Sequence, residues 1–355
     1  MANPRESELS YPLGDTLPGP GEALDLLPGV RWVRMGLPFA LDHINLWLLR
    51  DTLDGREGWT IVDCGIHNDT TKANWERVFA ERLDGLPVLR VIVTHFHPDH
   101  LGLGHWLTER WQCRLWISAT DYQLARVASS STVGMGGEAA AAFFGSHGLS
   151  DPAALDKIRG RASYYPSMVP AIPSAFRRLM DGMTVRIGDH DWRCLVGYGH
   201  APEHISLFSQ TQAEGRGVMI SGDMMLPRIS TNISVLDVEP EADPLQLYLD
   251  SIARLTALPA DTLVLPAHGK PFRGLHARID QLEEHHRERL AEVLEACTAK
   301  PCHAAELLPM MFRRPLDLHQ TTFAMGEAIA HLNLLWLGGQ LRRTLDEDGI
   351  HRFSA

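Results

Sequence analysis

The stretch VIVTHFHPDHLGLGHW, residues 91–106, constrains this chain more than any other part of its 355 residues. Its apolar start, Val91–Thr94, reads as a buried strand. His95, His97, Asp99 and His100 then fall within six residues. At a strand end the chain can turn so that several such side chains point at one spot. Pro98 and the glycines after it suit a tight turn before a helix. Imidazole nitrogens and carboxylate oxygens are the donors a zinc-class ion prefers in a catalytic site. A set without thiolates also suits iron or manganese. One histidine alone is ordinary; four ligand candidates in six residues read as a metal site.

Three further candidates share one placement. His200 follows the apolar run at 193–198, Asp223 follows Val218–Ile220, and His268 follows Thr262–Leu265. Each stands beside a glycine just past a predicted strand, so the ends of several strands are expected to converge on one site.

Other short apolar runs read as strands: Asn45–Leu49, Trp59–Val62, Val88–Val93, Arg114–Ile117 and Arg193–Val196. Helices are expected near 69–83, 104–111, 119–126 and 244–257. This alternation predicts a layered α/β architecture. Residues 1–28 read as an irregular leader, 29–275 as the catalytic domain and 125–180 as a partly helical insertion forming a lid or substrate wall. Residues 276–355 read as three helices (277–299, 303–312, 319–337) and a hairpin turning at Asp348-Gly349, the outline of a winged helix.

HFHPDH followed by GH, GD and AHG resembles the metallo-β-lactamase superfamily over roughly residues 30–275. The resemblance implies a four-layer αββα sandwich carrying a C-terminal winged-helix-like domain. It implies that His95, His97 and His200 hold one metal, Asp99, His100 and His268 a second, and that Asp223 bridges them. Asp63 in IVDCG would be structural, supporting the metal-binding loops. GHAPEHISLF resembles the GHTPGH-type motif of hydroxyacylglutathione hydrolases, with Glu203 where that motif has glycine. The tail resembles the β-lactamase-associated winged-helix subgroup, as does GDMMLPRISTNIS.

The function expected is binuclear metal-dependent hydrolysis of a thioester or ester. The cofactors are two divalent ions, zinc foremost and iron or manganese as alternatives. A metal-bridging hydroxide attacks the substrate, and Asp99 is the catalytic carboxylate, which orients that hydroxide or passes its proton on. Alternatives are a lactonase and a phosphodiesterase or ribonuclease, with a DNA-binding regulator last. The formal net charge of -11 disfavours nucleic acid. So does the tail, where nine Lys/Arg stand against twelve Asp/Glu over 276–355 and the basic pairs are Arg313-Arg314 and Arg342-Arg343. A small-molecule substrate, a tail serving as substrate wall or homodimer surface, and no membrane contact are expected. The five scattered cysteines and the absence of a signal-like N-terminus suggest a cytoplasmic protein.

The candidates for substrate contact are His43, Tyr164, Tyr165 and Arg228. His204 is expected to pack behind the ligands, and His285 and His286 to be solvated on a charged helix. Phe323, Ile329, Leu332, Leu335 and Leu337 are expected to form a helix core.

Overall fold

A computed structural model describes residues 3–130, 136–312 and 315–355. Seven strands form the first sheet in sequence order: β1 Ala23–Leu27, β2 Val30–Gly36, β3 His43–Leu53, β4 Arg56–Val62, β5 Val88–Ile92, β6 Arg114–Ser118 and β7 Phe176–Leu179. β1 to β4 pair antiparallel, and β4 to β7 parallel. The parallel pairs need crossovers. These are α1 Asp69–Arg82, then α2 Pro98–Leu101 and α3 Gly104–Trp111, and after β6 the helix α4 Ala119–Ser130.

The second sheet has five strands: β8 Thr184–Ile187, β9 His190–Gly197, β10 His204–Ser209, β11 Val218–Gly222 and β12 Leu263–Pro266, in the order β12-β11-β10-β9-β8. The helices that follow α4 are α5 Gly137–Ser146, α6 Pro152–Arg159 and α7 Tyr164–Met168, and α8 Pro244–Arg254 lies between β11 and β12. Beyond β12 come α9 Leu275–Ala299, α10 Ala304–Met311 and α11 Leu318–Leu337. The chain ends in the hairpin β13 Arg342–Leu345 and β14 His351–Ser354.

The period-2 alternation of strand side chains sorts the apolar residues into layers. On β3, Leu46 and Leu48 face the helices outside the first sheet, while Trp47 and Leu49 face the second sheet. On β5, Val91 turns outward and Ile92 inward. The inward set meets Val185, Trp192, Ile205 and Leu207 of the second sheet. A third apolar cluster lies outside that sheet and takes in α8, α9, α10 and α11. Helices, two sheets and helices again make four layers.

The tail does not keep a core of its own. Ile329 and Leu332 of α11 share one buried cluster with Ile252 of α8 and with Phe144 and Ile158 of the insertion. Ten residues of α11 between Ala324 and Leu335 are buried, whereas Phe323 and Leu337 are about half exposed. Those two therefore lie outside the helix core expected for them. The insertion docks on the tail: the Ala305 N–H donates to the His147 carbonyl, and the His147 ring meets that of His351.

Three other expectations are corrected. The leader is not wholly irregular, since Ala23–Leu27 is the edge strand of the first sheet. The segment 125–180 does not lie wholly outside the sandwich, since α4 runs on to Ser130 and Phe176–Leu179 rejoins the first sheet. His286 is buried against Tyr248 and His331, so it is not solvated, and His285 is only partly exposed. The pair Arg313-Arg314 lies outside the described residues.

A buried ion pair joins the two sheets. The guanidinium of Arg90 on β5 donates to both carboxylate oxygens of Asp51 on β3, at 2.9 and 3.0 Å. It also donates to the Arg186 carbonyl on β8, at 2.6 Å. Thr60 and the Gly188 N–H complete the shell around Asp51. Removing one member strands a buried charge, which costs about 3–5 kcal/mol. Arg90→Ala should therefore lower the urea midpoint markedly. Replacing Arg90 and Asp51 together by apolar residues of similar size should recover most of the loss. An Arg90→Ala midpoint within error of the parent would contradict this account.

Candidate metal centre

The site sits where strand ends of both sheets meet. His95 and His97 lie on the turn after β5, and Asp99 and His100 on the short helix α2. His200 follows β9, Asp223 follows β11 at once, and His268 follows β12. Gly222 precedes Asp223 with φ +50°, and a Cβ there would stand 2.3 Å from Nε2 of His204. Only glycine lets the chain turn so closely over that ring, which accepts the Asp223 N–H.

All seven ligand candidates come together. One group is His95, His97, His200 and Asp223, and the other is Asp99, His100 and His268. Within each, the ligating atoms lie within 4.8 Å of one another. Asp223 reaches both groups. Its Oδ2 is 3.2 Å from Nε2 of His200 and 3.5 Å from that of His100, and its Oδ1 is 3.4 Å from Nε2 of His268. Asp99 Oδ2 is 3.4 Å from the same His268 nitrogen.

The surrounding hydrogen bonds fix the ring orientations. His200 Nδ1–H donates to the Asn232 carbonyl, His268 Nδ1–H to the His43 carbonyl, and His100 Nδ1–H to Asp63 Oδ2, at 2.7–2.8 Å. Thr94 bonds Asp63 through its hydroxyl and its N–H, and that hydroxyl lies 3.0 Å from His95 Nδ1. The far nitrogens then face one another and the carboxylates; His95 Nε2 is 2.8 Å from His97 Nδ1 and 3.2 Å from His200 Nε2. Nε2 of His100 and Oδ1 of Asp223 are buried with no hydrogen-bond partner among the described residues. Lone pairs packed this closely repel unless protons or cations lie among them. The donor set fits divalent ions, and each ring is held by its other nitrogen as metal-binding histidines are.

Titration follows the same logic. Burial depresses His95 strongly and takes His97 down to about 3, with neighbouring imidazoles adding to it. For His100, burial is outweighed by Asp63, Asp99 and Asp223, which raise it well above the ordinary histidine value. His268 is raised likewise, against burial, by Asp223 and Asp99. Burial opposes ionisation of Asp99, yet His100 and His268 bring it down to about 2.

The supporting shell holds one residue that its motif points to and one that pattern reading missed. Asp63 has a left-handed φ of +62°, tolerated because its carboxylate fastens the loop after β5. Asp121 on α4 accepts the N–H groups of Phe96 and Glu203, and burial pushes its carboxyl up to about 6. Asp121 carried no signal, since it lies in a helix 21 residues after His100 with no motif around it. His204 packs against His95 and His200.

The substrate-contact candidates fare less well. His43 is committed: Nε2 accepts the Gly269 N–H, Nδ1 faces Asp42, and burial takes the ring down to about 4. It supports His268 and is not free for substrate. Tyr165 is buried and donates to the Phe96 carbonyl. Arg228 is largely exposed and pairs with Glu6 at 3.2 Å. Tyr164 alone lines the cavity that opens beside His97 and His200.

A model of the metallo-beta-lactamase superfamily matches residues 40–268. The chain belongs to that superfamily. A model described as the metallo-beta-lactamase-like C-terminal domain matches 290–355, a span that begins inside α9. A beta-lactamase domain protein from Burkholderia ambifaria is 55% identical, with 98% of each chain covered and a TM-score of 0.92. A metallo-beta-lactamase family protein from Thermus thermophilus is 26% identical, covering 93% of this chain and 99% of that one, with a TM-score of 0.73. A Bacillus subtilis (strain 168) protein named "Probable metallo-hydrolase YqjP" is 26% identical over 325 residues, 85% of this chain and 91% of that protein. This superfamily member is thus a metallo-hydrolase with candidate metal-binding residues in two adjoining groups.

Protons and cations compete for the same lone pairs. Below neutral pH the raised values of His100 and His268 keep both rings protonated in the metal-free protein. Metal affinity should therefore fall as pH is lowered, and metal binding at neutral pH should release protons. Calorimetric titration with Zn2+ in buffers of differing ionisation enthalpy measures this. Zinc affinity that is flat between pH 5 and 8 would contradict it.

Proposed function

We propose that this chain hydrolyses a small thioester or ester, using two divalent ions in the adjoining His/Asp groups. This rests on Asp223, whose carboxylate reaches both groups, and on the small, mainly apolar cavity that opens beside His97 and His200. His95, His97 and His200 would hold one ion, Asp99, His100 and His268 the other, and Asp223 both. Zinc is the ion the donor set favours first, with iron or manganese as alternatives. Bound there, such ions supply an acidified water and a Lewis acid for the substrate oxygen.

The protein's own part is positioning. Asp223 sets the spacing between the two groups. Asp99, with its side chain about one-fifth exposed, is the more accessible of the two carboxylates. Hydrolysis adds the water oxygen to the carbonyl carbon and breaks the acyl–sulfur or acyl–oxygen bond. The acyl part leaves as a carboxylate, its proton passes to solvent through Asp99, and the leaving group takes up a proton.

His43 and His204 are both engaged as supports, so neither is free to protonate a poor leaving group. A thiol, with an ordinary pKa of about 8.5, leaves as thiolate without such help. That favours a thioester over a phosphodiester. The cavity also carries Asp237, Glu239 and Asp243 on its wall, which opposes a polyanion such as RNA. Ten of the twenty residues of α11 are buried, which leaves little of a recognition helix to enter a DNA groove. No helix among the described residues is long and apolar enough to cross a membrane.

Thiol release from a panel of acyl thioesters by zinc-loaded protein tests the proposal. Release should vanish on chelation. Asp223→Ala should lose metal content and activity together, by at least about 100-fold in kcat/KM, as expected when a group that stabilises transition-state charge is removed. A variant that keeps two metals per chain and normal turnover would refute the assignment of Asp223.

A further inference from the structure

The cavity beside His97 and His200 has a volume of about 350 Å3. That is near the lower end of the roughly 300–1,000 Å3 that small organic ligands occupy. Besides the turns after β5 and β9 that carry His97 and His200, the insertion, the segment 232–247 and the start of α11 build it. Phe96, Phe144, Ile158, Leu236, Val238 and Phe323 make its walls chiefly apolar.

Its charges are divided. Arg161 is the one Lys or Arg among the lining residues, and it lies at the turn into α7. Among the described residues it has no carboxylate partner; its guanidinium lies 5.3 Å from the centre of the Tyr164 ring. The Tyr164 hydroxyl is 3.2 Å from Nδ1 of His319 on α11, and the His319 ring stacks on Phe39. Burial and Arg161 hold His319 below the ordinary histidine value, so the ring stays neutral and can exchange hydrogen bonds. The acidic side chains Asp237, Glu239 and Asp243 belong to the segment 232–244 instead.

We propose that this cavity binds the hydrocarbon chain of the substrate and that the Arg161–Tyr164–His319 corner binds an anionic group carried with it. The ligand is a small amphiphilic anion: a medium-length acyl ester or thioester bearing one carboxylate, sulfonate or phosphate. The hydrolysis reading above supplies the reaction, and this assignment rests on it for the word substrate only. A half-buried guanidinium with no carboxylate partner among the described residues gains most from an anion, through bidentate, charge-assisted hydrogen bonds that the neutral Gln would not reproduce. The apolar walls give affinity with chain length. The split of charges excludes a cationic head at this corner and disfavours a polyanion along the whole cleft.

Calorimetric binding to the zinc-loaded full chain tests this with probes that coordinate metals poorly. Octanesulfonate, methanesulfonate, octanol and octylamine are compared on the parent, on Arg161→Gln and on Phe323→Ala. Both substituted residues are at least partly exposed, so both variants should fold. Octanesulfonate should bind the parent at least about tenfold tighter than each other probe. Arg161→Gln should lose that advantage over octanol while leaving octanol unchanged. Phe323→Ala should weaken octanesulfonate and not methanesulfonate. Equal binding of octanol and octanesulfonate, no effect of Arg161→Gln, or a preference for octylamine would overturn the assignment. Binding as expected in a protein that hydrolyses neither thioesters nor esters would sink the hydrolysis reading and leave this cavity assignment standing. Thiol release without Arg161-dependent anion binding would do the reverse.

Discussion

Five imidazole rings and two carboxylates crowd together at the seam of two sheets, with their free lone pairs turned toward one another. Such a cluster repels itself unless positive charge is present. Everything around it works to hold the rings in that costly arrangement. Asp63 accepts a strained backbone to brace Thr94 and His100. Asn232 and His43 offer carbonyls that fix two further rings from behind. Asp121 fastens the turn at Phe96 to the turn at Glu203, so one carboxylate ties together the loops after β5 and β9. A carboxylate brace of this kind both orients a ligand and raises its basicity.

The sandwich supplies the floor, and the remaining chain supplies the walls. The insertion and the tail pack on each other outside the second sheet, and both send residues to the cavity beside His97 and His200. Arg161 and Tyr164 come from the insertion, and His319, Thr322 and Phe323 from α11. Segments outside the ligand motifs therefore shape the approach to the ligand candidates. Chemistry and selectivity are divided between rigid strand ends and loops borne on helices, as is usual where one fold serves many substrates.

The ligand candidates were legible because four fall within six residues after an apolar run, and the other three each stand beside glycine at the end of one. The long helices of the tail were legible from their 3.6-residue period. β10 was not, because His204, Ser206 and Ser209 are polar yet buried, so HISLFS shows neither alternation nor an apolar run. β7 and β8 are four residues each with exposed arginines, too short and too polar to stand out. Asp121 was hidden for a different reason: it is close to the ligands only in three dimensions. Arg228 looked suited to an anion from its place after the GD motif, but its side chain turns outward to Glu6, and Arg161 in the insertion faces the cavity instead.

The proposed function requires Asp223 to join two metal positions into one centre. Electron paramagnetic resonance of protein loaded with two equivalents of Mn2+ reads that directly. The expected spectrum is that of an exchange-coupled pair, replaced by that of isolated Mn2+ in Asp223→Ala. Two uncoupled ions in the parent, or a single ion per chain at saturation, would contradict it.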